Sequence, residues 1–125
     1  MKELIIRKCN HCKAIVRVLE DCNCKCGIIC CDEEMKIVKA NSTDGAVEKH
    51  VPTYEINGDE IIITVNHVME EDHFIEWISA ITDKEEITKY FKPGELPKLK
   101  CKYTPNMTLY AYCNKHGLWK KEVEK

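Results

Sequence analysis

Apolar residues in this chain come in short runs, and most of the runs are of strand length. After Asn57-Gly58-Asp59 the segment Glu60-Ile61-Ile62-Ile63-Thr64-Val65 is β-branched almost throughout, which predicts a strand entered through a tight hairpin turn. Leu99-Lys100-Cys101-Lys102-Tyr103 alternates apolar and polar positions, and Thr108 to Cys113 alternates again, the period of a strand. Ile87 to Phe91 is a further strand candidate, closed by the turn Lys92-Pro93-Gly94. Phe74 to Thr82 reads two ways. Alternation puts Ile75, Trp77, Ser79 and Ile81 on one face, whereas Met69, His73, Trp77 and Ile81 follow helical spacing. Several short strands with turns between them predict a mainly β protein, an antiparallel sandwich.

The N-terminal part has a different texture. Its apolar runs, Leu4-Ile5-Ile6, Ala14-Ile15-Val16 and Gly27-Ile28-Ile29, are shorter still and lie among turn-formers. The small, polar link Ala40-Asn41-Ser42-Thr43-Asp44-Gly45 follows them, as at a domain junction. Two domains are therefore expected, residues 1–38 and residues 39–125.

Charge excludes some partners. Nineteen Lys and Arg face 21 Asp and Glu for a formal net charge of −2, with no basic block, so a nucleic-acid partner is not expected. No apolar run is long enough to cross a bilayer as a helix. The N-terminal residues lack the apolar centre of a secretory signal, which makes the cytoplasm the expected location. On that reading the triplets Asn41-Ser42-Thr43 and Asn106-Met107-Thr108 are not glycosylation sites.

Cysteine changes the picture most. The chain has nine, and seven of them (Cys9, Cys12, Cys22, Cys24, Cys26, Cys30 and Cys31) precede residue 32. An odd number of thiols in a reducing compartment argues against a disulfide framework. A segment this small cannot build an adequate apolar core, and a bound metal would supply the missing folding free energy. Cys9-Asn10-His11-Cys12 is a Cys-x-x-Cys knuckle able to place two sulfurs on one ion. Cys30-Cys31 offers two more, but adjacent residues of an extended chain point to opposite sides. Sharing a metal would therefore distort the backbone there. Four thiolates suit zinc or iron. Cys22, Cys24 and Cys26 read as free thiols of a polar loop, although one or more of them could replace Cys30 or Cys31; His11 is expected to point to solvent.

Four of the five histidines, His50, His67, His73 and His116, lie beyond residue 49, and Cys113 stands three residues before His116 at a turn that Gly117 permits. Imidazoles with one thiolate suit iron, copper or zinc according to geometry.

Glu48-Lys49-His50-Val51-Pro52, His67-Val68-Met69-Glu70-Glu71-Asp72-His73-Phe74-Ile75-Glu76-Trp77-Ile78 and Cys113-Asn114-Lys115-His116-Gly117-Leu118-Trp119 closely resemble the superoxide reductases. With Cys9, Cys12, Cys30 and Cys31 ahead of them, nearly the whole chain resembles the desulfoferrodoxins, the two-iron form of that family. The resemblance implies a catalytic iron held by His50, His67, His73 and His116 in a plane with Cys113 axial, and a second iron held by Cys9, Cys12, Cys30 and Cys31. It implies a desulforedoxin-like N-terminal domain, an immunoglobulin-like β-sandwich and a homodimer. The activity implied is one-electron reduction of superoxide to hydrogen peroxide, with rubredoxin or a similar protein as electron donor. Lys49, next to the first ligand, would attract the anion and orient a proton-donating water. Glu48 would occupy the open position in the ferric resting state. The trans thiolate would push electron density toward the bound oxygen species.

The chain departs from the family pattern at Val68, where proline is usual, at Phe74, where tyrosine is frequent, and in the long interval from Cys12 to Cys30. Two rival readings are a zinc-stabilised binding module and a pure electron-transfer protein. Structural zinc favours four ligands in a closed tetrahedron, and an electron carrier would leave the histidines and Lys49 without a role.

Overall fold

The computed structural model describes residues 3–43 and 45–124. Asp44 of the expected link, and Met1 and Lys2 of the N-terminus read above, lie outside them. Two units separate: Leu4–Lys39, and Glu3 with the residues from Ala40 onward.

The first unit consists of five short strands, β1 (Ile5–Lys8), β2 (Ile15–Val18), β3 (Ile29–Cys30), β4 (Glu33–Glu34) and β5 (Lys36–Ile37). They form an antiparallel sheet in the order β2-β1-β5 and a separate β3-β4 hairpin. Its buried apolar side chains are Leu4, Ile6, Cys9, Val18 and Met35, too few to hold a fold unaided. Arg7 reinforces them. Its buried guanidinium donates to both carboxylate oxygens of Asp21, at 3.1 and 2.8 Å, and to the Met35 carbonyl at 2.7 Å.

The second unit opens with a single helical turn, α1 (Val47–His50), and continues as β6 (Thr53–Asn57), β7 (Glu60–Thr64), β8 (Ile75–Ile81), β9 (Glu86–Tyr90), β10 (Lys98–Lys102), β11 (Thr108–Cys113) and β12 (Gly117–Glu122). Among the described residues no helix is long and apolar enough to cross a membrane. One sheet runs β10-β7-β6 and the other β12-β11-β8-β9, and every pairing is antiparallel. The fold is mainly β, an immunoglobulin-like sandwich. Its core is filled by Ile61 and Ile63 of β7, Leu99 of β10, Ile75, Ile78 and Ala80 of β8, and Leu109, Ala111 and Cys113 of β11. Burying each large aliphatic side chain contributes about 1.5–3 kcal/mol.

The hairpin stands where the sequence places it: Asn57 pairs with Glu60 across Gly58 and Asp59. The ambiguous segment is the strand β8, but its faces differ from simple alternation. Register shifts between Tyr112 and Cys113, so that Tyr112 pairs with Trp77 and Cys113 with Ile75, leaving Glu76 as the extra residue. This bulge changes the parity of the strand. Ile75 therefore joins Ile78 and Ala80 in the core rather than sharing a face with Trp77, Ser79 and Ile81. Strand β11 is buried at all six positions: Leu109, Ala111 and Cys113 face the core, and on the other side Tyr112 stacks on Trp77 at 5.5 Å.

Candidate metal centres

The helical turn α1 ends on His50, whose ring is buried. A four-residue step along a helix brings a side chain back over its own backbone, and His50 Nδ1 lies 2.8 Å from the Ala46 carbonyl. A carbonyl only accepts, so Nδ1 carries the proton and Nε2 keeps its lone pair. His67 follows β7, and its Nδ1 donates to the Val68 carbonyl. His73 closes a bridge with Glu70 just before β8. Cys113 ends β11 at the bulge, and His116 stands on the turn into β12. Gly117 has a φ of 80° there, a conformation L side chains rarely adopt.

These five residues converge. One donor atom from each of His50, His67, His73, Cys113 and His116 lies within 4.8 Å of all the others. His116 Nδ1 is 3.0 Å from His50 Nε2 and 3.3 Å from His73 Nε2. Cys113 Sγ lies 3.4 Å from His67 Nε2 and 3.8 Å from His116 Nδ1. Around the cycle His50, His67, His73, His116, neighbouring rings meet edge to face at centroid distances of 4.7, 4.6, 5.0 and 4.8 Å. Two nitrogens at right angles, each about 2.1 Å from one ion, stand about 3.0 Å apart, so this spacing fits a shared metal. Burial, and then the other imidazoles, hold His67 below the usual histidine range, and burial with His116 does the same to His73. Neutral rings are what a metal requires.

The first unit gathers a second donor set. One sulfur from each of Cys9, Cys12, Cys30 and Cys31 lies within 4.8 Å of the others, with Cys12 to Cys30 at 3.6 Å and Cys30 to Cys31 at 3.9 Å. Sulfurs at the corners of a tetrahedron, each about 2.3 Å from its centre, are about 3.8 Å apart. The expected backbone distortion is present: Cys31 and Asp32 have φ of 53° and 61°, which turns both sulfurs to one side. The amides of Cys12 and His11 each donate to Cys9 Sγ at 3.4 Å and draw its pKa down to about 6, while hydrogen bonding with Cys12 and Cys9 pushes Cys30 up to about 12. Without a cation, one thiolate suppresses the ionisation of its neighbour. A cation removes that conflict.

The desulfoferrodoxin family profile matches residues 42–122. The desulfoferrodoxin of Nitratidesulfovibrio vulgaris is 42% identical over 122 residues, 94% of this chain and 95% of its own length. The chain belongs to the desulfoferrodoxin family. A desulfoferrodoxin homolog from Archaeoglobus fulgidus is 38% identical over 91% of the chain and 93% of its own length. Among solved structures, the superoxide reductase from Treponema pallidum superposes with a TM-score of 0.70 at 25% identity, covering 96% of this chain and 99% of that one. The superoxide reductase (1Fe-SOR) from Giardia intestinalis gives 0.53 at 27% identity and covers 62% and 99%.

The departures from the family pattern leave the donor sets assembled. Val68 takes part through its backbone carbonyl, which any residue supplies. Phe74 likewise contributes its backbone, on both sides of Asn114. The Phe74 amide donates to Asn114 Oδ1 at 3.0 Å, and the Asn114 amide donates to the Phe74 carbonyl at 3.2 Å. The long interval after Cys12 makes an exposed loop, and its cysteines stay outside the four-thiol set. His11 is exposed and pairs with Glu33 at 3.1 Å.

Lys49 and Glu48 are both exposed on α1. Glu48 lines a groove of about 420 Å³ with Val47, Val51, Pro52, Thr53, Tyr54 and Lys121; none of the four histidines lines it. Sequence reading gave no role to the residues that support the rings. Trp119 stacks on His50 at 4.8 Å and donates to the His116 carbonyl at 3.0 Å. Thr43 also donates to that carbonyl. Gly45 packs so close that a Cβ would stand 3.2 Å from both His50 and Trp119. Asn114 donates through Nδ2 to the Asp72 carbonyl at 3.0 Å, tying the His116 turn to the loop of His73. A polar residue between two donors at a tight turn was its only signal in the sequence.

Proposed function

We propose that this chain is a superoxide reductase in which His50, His67, His73, His116 and Cys113 hold the catalytic iron. The observation that carries the proposal is the convergence of those five donors within 4.8 Å. Four imidazoles and one thiolate exceed the four donors of structural zinc and suit iron. Cys9, Cys12, Cys30 and Cys31 hold a second iron in the first unit, a set that also accepts zinc. The first unit is then the desulforedoxin-like iron domain and the second the catalytic one.

Held by His50, His67, His73, His116 and Cys113, iron would supply one-electron reduction. The residues do the rest. Cys113 is fully buried in the sandwich core, while His67, His73 and His116 are half-buried. The sulfur is thus enclosed with the buried His50 ring, and the half-buried imidazoles are the part of the site that a small anion reaches. The backbone carbonyls of Ala46 and Val68 fix the protons of His50 and His67 on their outer nitrogens, which orients both rings. Lys49, one residue before His50, draws the anion in and orders a water that gives up a proton. To cover the open side when substrate is absent, Glu48 must leave the groove it lines with Tyr54 and Lys121. Superoxide, one electron and two protons give hydrogen peroxide, so an outside donor is needed; rubredoxin or a similar small protein fills that part. The protein works in the cytoplasm as a homodimer.

The test is direct. Purified protein should contain iron at both sites and show two ferric thiolate absorptions. The reduced form should consume superoxide and yield an equal amount of peroxide without evolving O₂. A colourless protein loaded with zinc, or a coloured one inert to superoxide, would refute the proposal.

A further inference from the structure

Outside the two donor sets, the first unit holds three more thiols in a five-residue segment, Cys22-Asn23-Cys24-Lys25-Cys26. All three are exposed. The segment is held at both ends. On entry, the Asp21 carboxylate accepts from Arg7 and, through Oδ1, from the Cys22 amide at 2.9 Å. Beyond its exit, the Met35 amide donates to the Ile28 carbonyl at 2.7 Å. Between these anchors Cys24 Sγ and Cys26 Sγ stand 3.3 Å apart, close enough to react with each other once one is oxidised. We propose that Cys24 and Cys26 form a dithiol that hydrogen peroxide oxidises to a disulfide.

The two sulfurs have different parts. Hydrogen bonds from Cys26, the Gly27 backbone and Cys22 hold Cys24 below the ordinary thiol range, and the same partner, Cys24, pushes Cys26 above it. One thiolate beside one retained thiol is a nucleophile beside its resolving partner. The Cys24 thiolate attacks one oxygen of peroxide. The O–O bond breaks, and hydroxide departs and takes up a proton to become water, leaving a sulfenic acid. Cys26 sulfur then attacks Cys24 sulfur, the S–S bond forms, and the hydroxyl leaves as water with the Cys26 proton. In sum, two thiols and one peroxide give one disulfide and two waters. The inference goes beyond the proposed activity and draws on it only for the source of the oxidant, since peroxide is the product released there.

The test uses the iron-loaded protein and reagent peroxide, so it stands or falls independently of any reaction with superoxide. After exposure, free thiols are alkylated and the protein is cut with trypsin. Lys25 lies between the two cysteines, so a Cys24–Cys26 bond joins two separate peptides. Expected is that linked pair, released by reductant, with Cys22 recovered alkylated. In Cys26→Ser, a sulfenic acid should accumulate at Cys24 and be captured by a dimedone reagent. In Cys24→Ser, Cys26 should remain free, and neither variant should change superoxide reduction. Recovery of Cys24 and Cys26 fully alkylated after peroxide, or bonds shared evenly among the three thiols, would overturn the proposal.

Discussion

Asn114 offers the sharpest test of how the loops hold the five-donor site. Its side chain accepts from the Phe74 amide and donates to the Asp72 carbonyl, both at 3.0 Å, bracketing His73 on either side. In Asn114→Ala both bonds go. At about 0.5–1.5 kcal/mol each, the loss is about 1–3 kcal/mol. Asp72 is exposed and its carbonyl recovers a water, whereas Phe74 is half-buried and its amide does not recover as fully. The expected cost therefore lies in the lower half of that range. The larger effect should fall on the metal. Removing a group that orients a ligand typically weakens metal binding about 10–100-fold, and this one links the loop of His73 to the turn of His116. Chelator competition, followed through the visible absorption, reads both centres in one molecule, with the four-thiolate centre as internal control. Iron should leave the histidine site at least about ten times more readily, while the thiolate centre is retained as in the unaltered protein. Asn114→Asp keeps the acceptor for the Phe74 amide and should fall between the two. If Asn114→Ala lowers the urea midpoint but both centres hold iron as before, Asn114 merely stabilises the loops and the positioning argument fails.

Three further outcomes follow from the same structure. Cys12→Ser should lose the thiolate iron and its absorption while reduction of superoxide at the histidine site continues with a chemical reductant; loss of that activity would show that the two centres act together. Lys49→Ala should slow superoxide capture several-fold in stopped flow and flatten its salt dependence, because the steering charge is gone. Hydrogen bonds from Arg7 hold the Asp21 carboxyl below the usual carboxylate range, so the unfolded chain binds this proton more readily than the folded one. The stability from this pair is complete above the ordinary carboxylate pKa and is lost as pH falls through the lower folded value. Urea midpoints of Asp21→Asn should accordingly fall less on acidification than those of the unaltered chain.

Much of this protein is legible in its sequence because the informative signals are local. The hairpin between β6 and β7 needs only a turn beside a β-branched run, and the donor residues declare themselves by type and spacing. What stayed hidden depends on pairing across the sheet. The bulge that moves Ile75 into the core is set by two residues of β8 standing opposite one step of β11, which no one-strand pattern reveals. The burial of Tyr112 on the outward face of β11 likewise depends on Trp77 of the neighbouring strand. The distortion at Cys30-Cys31 was legible because two adjacent side chains cannot face one point without it. Which nitrogen of each ring faces the centre was not. For His50 and His67 it follows from the Ala46 and Val68 carbonyls, and backbone groups leave no mark on residue identity.

The bulge also connects fold to chemistry. Cys113 is the last residue of the strand packed deepest in the sandwich, and the register shift immediately before it falls where Ile75 enters the core beside it. A close-packed interior resists displacement, so the sulfur is the fixed point of the five-donor set. The imidazoles come instead from α1, the loops bordering β7 and β8, and the β11–β12 turn, each steadied by a few hydrogen bonds and by edge contacts with its neighbours. Cys113 and His50 are therefore buried and constrained, whereas His67, His73 and His116 stand half-buried on segments nearer the surface. Passing a single electron to a diffusing anion calls for that asymmetry. A core-held Cys113 would stay in place if iron bound there changed charge, while the half-buried imidazoles would leave room for substrate to enter and peroxide to leave.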